Sequence, residues 1–194
     1  MKRNTQTKEK IKKSFIQLIN EKGFESMTVS DIAKQSQINR GTFYLHYVDK
    51  YDLMEKLEME AIYDLKQILL LDTNPKNLED PIQLIPYESI LHALIYIKND
   101  FEFIQALASE GGDPHFMQMV KDILNELVLS KLDKSKSLQF SRKNLPDDYA
   151  KEILLSSIVG VVNLWIKKGG EETPEQIATI ITKAKEISPY ELLL

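Results

Sequence analysis

Cysteine is absent from the sequence, and glycine and proline are sparse, with seven of each among 194 residues. Without cysteine the chain forms neither disulfide bonds nor cysteine-based metal sites, which fits a reducing compartment. No stretch approaches the ~18 consecutive apolar residues that predict a membrane-spanning helix. The charged opening MKRNTQTKEKIKKSF also lacks the apolar segment of a secretory signal. We therefore expect a cytoplasmic protein with no membrane partner.

Residue types that form catalytic and metal sites are also scarce. The three histidines, His46, His92 and His115, are far apart and lack the i, i+4 pairing or nearby acidic group typical of a zinc site. The sequence contains no phosphate-binding glycine loop and no G-x-S-x-G motif. We therefore predict that the protein is not an enzyme, that it has no catalytic residues, and that it needs no cofactor or metal.

Acidic side chains predominate overall, and the formal net charge is −4. Their distribution is uneven, because residues 1–50 hold 10 basic and 5 acidic side chains while the remaining 144 hold 15 and 24. A cationic amino-terminal part favours a polyanionic partner such as DNA, although lysines clustered on a solvated helix give the same totals.

Apolar residues recur with helical spacing along nearly the whole chain, and the alternation typical of strands is scarce. We therefore predict an all-α fold. Polar segments at 72–81 and 133–148 separate the helices. The first predicted helix spans 5–22, and the second begins at Thr28. The later predicted helices cover about 39–45, 49–71, 86–97, 100–110, 113–135, 147–168 and 174–187.

Local signals mark several helix ends. Thr28 followed by Asp31 has the spacing of a capping box, and Thr173 precedes a proline in the same kind of start signal. Asp113 also resembles an N-cap, with proline directly after it. Gly23 predicts a left-handed residue at the end of the first helix.

The stretch from Thr28 to Leu53 predicts two short helices joined by a tight turn, the geometry of a helix-turn-helix motif. Ala33 is small enough for the second helix to cross closely, and Phe43 and Tyr47 share one inward face. Polar side chains remain outside or near the helix ends: Asn39, Arg40, Thr42, Tyr44 and His46, with Lys50 just beyond.

These outward residues suit a nucleic-acid surface, although a solvated helix face is the alternative. Arg40 can reach guanine O6 and N7 in a major groove, or a phosphate. Thr42 can contact a thymine methyl group, and Gly41 allows close approach. Thr28, at a helix N-terminus, can bind a phosphate. Three further side chains can contact the phosphate backbone: Tyr44, His46 and Lys50.

The segment TVSDIAKQSQINRGTFYLHYVDKYDLMEKL resembles the DNA-binding signature of the TetR/AcrR family of bacterial regulators, and the likeness covers roughly residues 8–57. The resemblance implies an N-terminal three-helix DNA-binding domain at 1–50 and a C-terminal helical effector-binding and dimerisation domain at 51–194. A connecting helix spans about 50–71. The DNA-contacting positions of the family correspond to Thr28, Asn39, Arg40, Gly41, Thr42, Tyr44, His46 and Lys50.

Two residues depart from the family pattern. Gln37 stands where many members have glycine in the turn. If the turn requires a positive φ here, glutamine costs ~1 kcal/mol relative to glycine. Tyr47 replaces the more usual phenylalanine and brings a hydroxyl group into an inward position.

The resemblance also implies a homodimer, in which the last two long helices of each chain form a four-helix bundle. The residues assigned to this interface are Ile158, Val161, Val162, Ile177, Ile180 and Ile181. The alternative is that these apolar stripes only close the core of one chain. The segment at 164–178 additionally resembles a subgroup that includes regulators of dihydroxyacetone-kinase operons.

Polar or aromatic side chains on otherwise apolar helices are candidates for an effector pocket. The candidates are Tyr87, His92, Tyr96, Phe103, Phe116, Met119, Asn163 and Trp165. Taken singly, a residue of this kind is more often part of an ordinary core or surface. Asn163 is notable because a buried amide needs a hydrogen-bond partner, which its own copy in a second chain would also provide.

These features predict a sequence-specific regulator of transcription. It binds a near-palindromic operator in double-stranded DNA as a homodimer, and it acts as a repressor released by an unknown small-molecule effector. The alternative is an adaptor or co-activator that keeps the family fold but acts by binding another protein.

Overall fold

In a computed structural model of the chain, the residues described are 2–71, 84–134 and 145–185. Regular structure in these ranges is helical, which confirms the predicted all-α fold. The predicted break at 72–81 and most of the polar segment at 133–148 lie outside the described residues. The helices are α1 (Lys2–Ser26), α2 (Val29–Gln35), α3 (Arg40–Tyr44), α4 (Lys50–Leu71), α5 (Tyr87–Asn99), α6 (Phe101–Ala108), α7 (Phe116–Lys134), α8 (Asp147–Lys167) and α9 (Pro174–Ala184).

The chain divides into two compact units. The first unit contains Met1–Ala61 together with Glu102–Phe116, and the second contains Ile62–Phe101 and Met117–Leu194. The first unit therefore holds α1 to α3, the beginning of α4 and nearly all of α6. The predicted boundary at residue 50 divides the chain once. It does not assign the later segment Glu102–Phe116 to the first unit.

The core of the first unit is formed by one face of each of its helices. The predicted inner face of α1, with Ile11, Phe15, Leu18 and Ile19, is buried. Other buried side chains come from the later helices: Ile32, Ala33, Phe43, Leu53, Leu57, Phe103, Ile104 and Leu107. These short helices are held in place by packing, because helices of this length are marginal on their own.

Reciprocal capping boxes start α2 and α9, as the sequence predicts. The hydroxyl oxygen of Thr28 accepts from the backbone N–H of Asp31 at 3.2 Å, and the Asp31 carboxylate accepts from the N–H of Thr28 at 2.9 Å. Thr173 and Gln176 make the same exchange at 3.4 and 2.8 Å. Each box satisfies two donors that the first turn of a helix leaves free.

The ends of α1 and α7 differ from the prediction. Gly23 has the expected positive φ, at 75°, but a further helical turn follows it, and α1 continues to Ser26. Helix α7 begins at Phe116 rather than at residue 113. The carboxylate of Asp113 instead accepts from the N–H of His115 at 2.9 Å, and this local turn delays the helix by three residues.

The core of the second unit lies among α5, α7, α8 and α9. Trp165 is fully buried, its indole N–H donates to the carbonyl of Glu172 at 3.0 Å, and its ring meets the edge of Phe101. Gly170 has a positive φ of 66°, and a β-carbon there would lie 2.5 Å from the Phe101 ring. The turn between α8 and α9 is therefore packed closely around one tryptophan.

Candidate DNA-binding site

A tight turn joins α2 to α3. Ser36 closes α2 by donating its hydroxyl to the carbonyl of Ile32 at 2.6 Å, and the N–H of Ile38 donates to the carbonyl of Ala33 at 3.0 Å. Gln37, between them, has a φ of 55°. The strain that the sequence predicts for this position is therefore present, at a cost of about 1 kcal/mol.

The start of α3 is held by its own polar residues. The side-chain oxygen of Asn39 accepts from the N–H of Thr42 at 2.7 Å and from its hydroxyl at 3.0 Å. A β-carbon at Gly41 would lie 3.2 Å from that same oxygen, so glycine keeps the cap uncrowded. Asn39 and Gly41 are exposed, and Thr42 is half-buried.

Arg40 and Tyr44, one turn apart on α3, form a pair on the outer surface. The Nη2 group of Arg40 donates to the hydroxyl of Tyr44 at 3.1 Å, and the guanidinium carbon lies 5.9 Å from the centre of the tyrosine ring. Both side chains are exposed, and Tyr44 is 49% accessible. The pair therefore presents a partly oriented guanidinium group beside an aromatic ring.

Aromatic packing underneath α3 fixes its rotation. Phe43 is fully buried and Tyr47 nearly so, as predicted, with ring centres 5.6 Å apart. Burial raises the pKa of Tyr47, and the nearby carboxylates of Glu60 and Asp52 add to the effect. His46, which lies between Phe43 and Tyr47 in the sequence, is half-buried.

Thr28 and Lys50 have structural roles within the described residues. The hydroxyl of Thr28 donates to the Asp31 carboxylate at 2.7 Å, and these hydrogen bonds hold the pKa of Asp31 below its usual range. The ammonium group of Lys50 donates to the carbonyls of Phe24 at 3.0 Å and Glu25 at 2.9 Å. Lys50 therefore joins the start of α4 to the end of α1.

Two exposed apolar side chains beside α3 were not among the predicted contacts. Leu45 is 82% accessible and Val48 is 75% accessible, more than any other large apolar side chain in the described residues. Helical spacing carries the signal for Leu45, because position 45, the C-cap of α3, lies nearly opposite the buried Phe43. Val48 lies beyond the end of α3, and the sequence has no such signal for it. We add both to the candidate contact surface.

The second unit contains an apolar cavity of about 40 Å³. Its lining is aliphatic and includes Leu65, Leu69, Ile90, Leu94, Ile123 and Val162. A cavity of this size is far below the ~300–1,000 Å³ of typical ligand pockets. In the sequence, aliphatic residues of this kind cannot be told from an ordinary helical core, so these side chains are not among the predicted pocket residues.

None of the eight candidate pocket residues is among the described residues that line this cavity. Phe103 and Phe116 are buried in the first unit, and Trp165 is buried in the second. The other five are half-buried or exposed in the second unit: Tyr87, His92, Tyr96, Met119 and Asn163. Their role in effector binding stays a prediction.

The six residues assigned to a dimer interface divide by burial. Ile158, Val162, Ile177 and Ile181 are buried within their own chain, and their role in dimerisation stays a prediction. Val161 is half-buried and Ile180 is 46% accessible. The strongest apolar stripes are therefore part of the core of the second unit.

Two short helices joined by a tight turn, with polar side chains outward on the second, define a helix-turn-helix regulator. A family model described as bacterial regulatory proteins, tetR family, matches residues 16–57. A second model, described as a transcriptional regulator C-terminal region of the same family, matches residues 86–185. The chain therefore belongs to the TetR family of bacterial transcriptional regulators.

A curated relative, an uncharacterized HTH-type transcriptional regulator YxbF from Bacillus subtilis (strain 168), is 24% identical over 194 residues. The match covers all of this chain, but the chain spans only about half (48%) of the length of that relative. The solved structure of a TetR regulator from Streptococcus agalactiae has a TM-score of 0.63 at 23% identity, covering 94% of this chain and 95% of that one.

Two further solved structures have the same fold. The fatty acid degradation regulator FadR from Bacillus halodurans has a TM-score of 0.65 at 16% identity, covering 91% of this chain and 93% of that one. The dihydroxyacetone kinase operon activator DhaS has a TM-score of 0.59 at 18% identity, covering 92% and 93%. At these identities the likeness establishes the fold.

Replacement of Lys50 by methionine should destabilise the first unit, because it keeps the apolar stem but removes the donor to two backbone carbonyls. We expect a loss of about 1–2 kcal/mol in the free energy of unfolding, since the ammonium group is partly accessible. Urea unfolding followed by circular dichroism measures it. Lys34→Met, at an exposed lysine on α2, is the matched control, and an equal effect of both changes would contradict the assignment.

Proposed function

We propose that the protein is a homodimeric transcriptional repressor that binds a near-palindromic operator through α2 and α3. The observation that carries the proposal is the outward set of donors on α3 above a buried Phe43. Arg40 and Tyr44 are presented together, and Asn39 and Thr42 stabilise the beginning of the helix on which they stand. A second helix of this motif inserts into the major groove with its first residues at the base edges.

The side chains on this surface suit different kinds of contact with DNA. A guanidinium group can donate two hydrogen bonds to guanine O6 and N7, so Arg40 suits base recognition. Leu45 and Val48 offer apolar contact to thymine methyl groups. The hydroxyl of Tyr44 and the ring of His46 suit the phosphate backbone, contacts which position a protein without reading sequence.

The same observations revise the roles proposed for Thr28 and Lys50. Their polar groups already hydrogen bond within the protein, at the start of α2 and between α4 and α1. A phosphate in direct contact with Thr28 or Lys50 would have to share polar groups that already hydrogen bond within the protein. We propose that both residues contribute to DNA binding first by holding the motif in shape.

The dimer contact in our proposal uses the exposed side of α8. Tyr149, Ile153 and Leu164 are 58–62% accessible, and Gly160 has no atom within 4 Å of a β-carbon position. Spacings of four, seven and four residues place them on one side of the helix. Exposed apolar residues on one long helix side, with a glycine that permits close approach, favour a second copy of the chain.

Helix α8 is also the one helix in the described ranges that is long and apolar enough to cross a membrane by length and composition alone. Only 28% of its most apolar window is buried within the chain. One such helix is weak support for membrane insertion, and Glu152 of α8 forms an ion pair with Lys121 of α7 beside Ser156. A partner chain explains the exposed apolar residues without a membrane.

We further propose that the effector is apolar and enters the aliphatic cavity of the second unit. The small present volume means that binding must enlarge the cavity, and a ligand that favours the enlarged state shifts the population toward it. One fold relative is named as a fatty acid degradation regulator, which agrees with this class of ligand. Operator and effector occupancy would then be reciprocally coupled.

Replacement of Arg40 by alanine should weaken binding to the operator by about 1–3 kcal/mol while leaving non-specific binding largely intact, because a base contact is lost. Fluorescence anisotropy against the promoter DNA of its own gene measures both. Lys13→Ala, at an exposed lysine of α1, removes the same charge and should have a smaller effect.

Equal losses for the Arg40 and Lys13 variants would mean that α3 does not read sequence. If the native dimer fails to shift this DNA at low salt, the adaptor alternative is favoured instead.

Replacement of Leu164 by glutamate should raise the dissociation constant of the dimer at least about tenfold, because a charge is buried where the chains meet. Analytical ultracentrifugation over a range of concentrations measures the constant. Met59→Glu, at a 59% accessible residue of α4, is the control for an added surface charge. A dimer that is unaffected by the Leu164 change would contradict this interface.

Aliphatic carboxylic acids of increasing chain length should raise the melting temperature, by an amount corresponding to about 2.7 kcal/mol at one hundred times the dissociation constant. Diols of the same length are the control ligands. Replacement of Ala93, which lines the cavity, by phenylalanine should reduce the shift. An undiminished shift in that variant would place the ligand elsewhere.

A further inference from the structure

The turn between α6 and α7 packs tightly on α1. The carbonyl of Gly111 accepts from the N–H of Phe24 at 2.7 Å. A β-carbon at Gly111 would lie 3.1 Å from the carbonyl oxygen of Ile19, and one at Gly112 would lie 2.3 Å from that of Ala106. Both glycines therefore allow a backbone approach that a larger residue would prevent.

Asp113 follows these glycines and is held in a fixed position. Its N–H donates to the carbonyl of Leu107 at 3.1 Å. Its carboxylate accepts from the N–H of His115 at 2.9 Å and lies 3.1 Å from Nδ1 of that ring. The turn therefore presents one carboxylate at a defined place in the first unit.

Glu58 of α4 faces the same space as this carboxylate. Both residues line a cavity of about 370 Å³ within the first unit. Glu58 is only 6% accessible, and its Oε1 atom has no hydrogen-bond partner among the described residues. Burial raises the pKa of Glu58 to about 7, and the charge of Asp113 and a hydrogen bond with it add to the shift.

Other titratable groups face the same cavity. On α4 they are Glu55, which also raises the pKa of Glu58, and the phenol of Tyr51. Glu25 faces it from α1, and His115 faces it from the turn. Two of these four groups are carboxylates, and together with Asp113 they favour a proton on the buried Glu58.

We propose that Glu58 and Asp113 share one proton up to about neutral pH, and that this proton holds the 109–116 turn against α4 in the DNA-binding unit. Two ionised carboxylates offer only acceptors to each other, so a hydrogen bond between them requires a proton. A metal ion is a poorer occupant, because no three metal-binding side chains among the described residues are placed so that they could hold one together. The proposal does not depend on the identity of the operator or the effector.

The pH dependence follows from the direction of the shift. Below the ordinary pKa of a glutamate, 4.5, the carboxyl is protonated in both the folded and the unfolded chain. Between that value and about 7 the folded chain keeps a proton that the unfolded chain has released, so stability falls as the pH rises through this window. Above it, two carboxylates face each other and the turn loosens.

The first measurement is direct. A carbon-13 NMR titration of the Glu58 carboxyl in the native protein should show a midpoint near 7. The same titration of Glu55, an exposed glutamate on the same helix, is the internal control. A Glu58 midpoint below about 5 would overturn the proposal, because the carboxyl would then be ionised at neutral pH.

The second measurement follows the turn itself. The amide of Phe24 donates to Gly111, so its hydrogen-exchange protection reports whether the turn is docked. Corrected for the intrinsic rate, this protection should fall about fivefold or more between pH 6 and pH 8, as the protonated fraction falls from about nine-tenths to about one-tenth.

Variants identify the responsible group. Glu58→Gln keeps a neutral donor for Asp113 and should remove the pH dependence of Phe24 protection, whereas Glu55→Gln should retain it. His115→Gln should also retain it, which separates the carboxyl pair from the imidazole beside Asp113. The proposal is overturned if Glu58→Gln keeps the pH dependence, or if His115→Gln or Glu55→Gln removes it. If Glu58→Gln does not fold, Asp113→Asn provides the second test and should lower the Glu58 midpoint.

Discussion

Burial of Phe43 is the constraint on which the DNA-binding surface depends. Helix α3 has only five residues, and a helix of that length does not persist without tertiary support. With Phe43 inside and Asn39 capping the first turn, the rotation of the helix is set, and Arg40 and Tyr44 are exposed. The strained backbone of Gln37 can be tolerated because this packing stabilises the turn.

The sequence predicts the parts of this fold that local chemistry determines. Helical spacing located the helices, and the capping boxes at Thr28 and Thr173 were readable because each partner lies three residues away. Long-range partners were not readable. The ammonium of Lys50 hydrogen bonds carbonyls some 25 residues earlier, and the 102–116 segment returns to the first unit. Neither has a signature in the local pattern.

Prediction of the C-terminal sites was limited for a different physical reason. Helix α8 is apolar on more than one side, and periodicity alone does not distinguish the side that packs within the chain from one that meets a partner. Ile158 and Val162 are buried within their own chain, while Ile153 and Leu164 are exposed. The cavity escaped prediction because its lining is aliphatic, a composition shared with any helical core.

Amino-acid substitutions at the two ends of the Lys50 hydrogen bonds have unequal effects on those bonds. Its acceptors are main-chain carbonyls of Phe24 and Glu25, which every amino acid supplies. Sequence drift at position 25 would leave the acceptor in place, whereas few residues other than lysine combine the reach and the donors required at position 50. Related chains should therefore vary freely at position 25 and only narrowly at position 50.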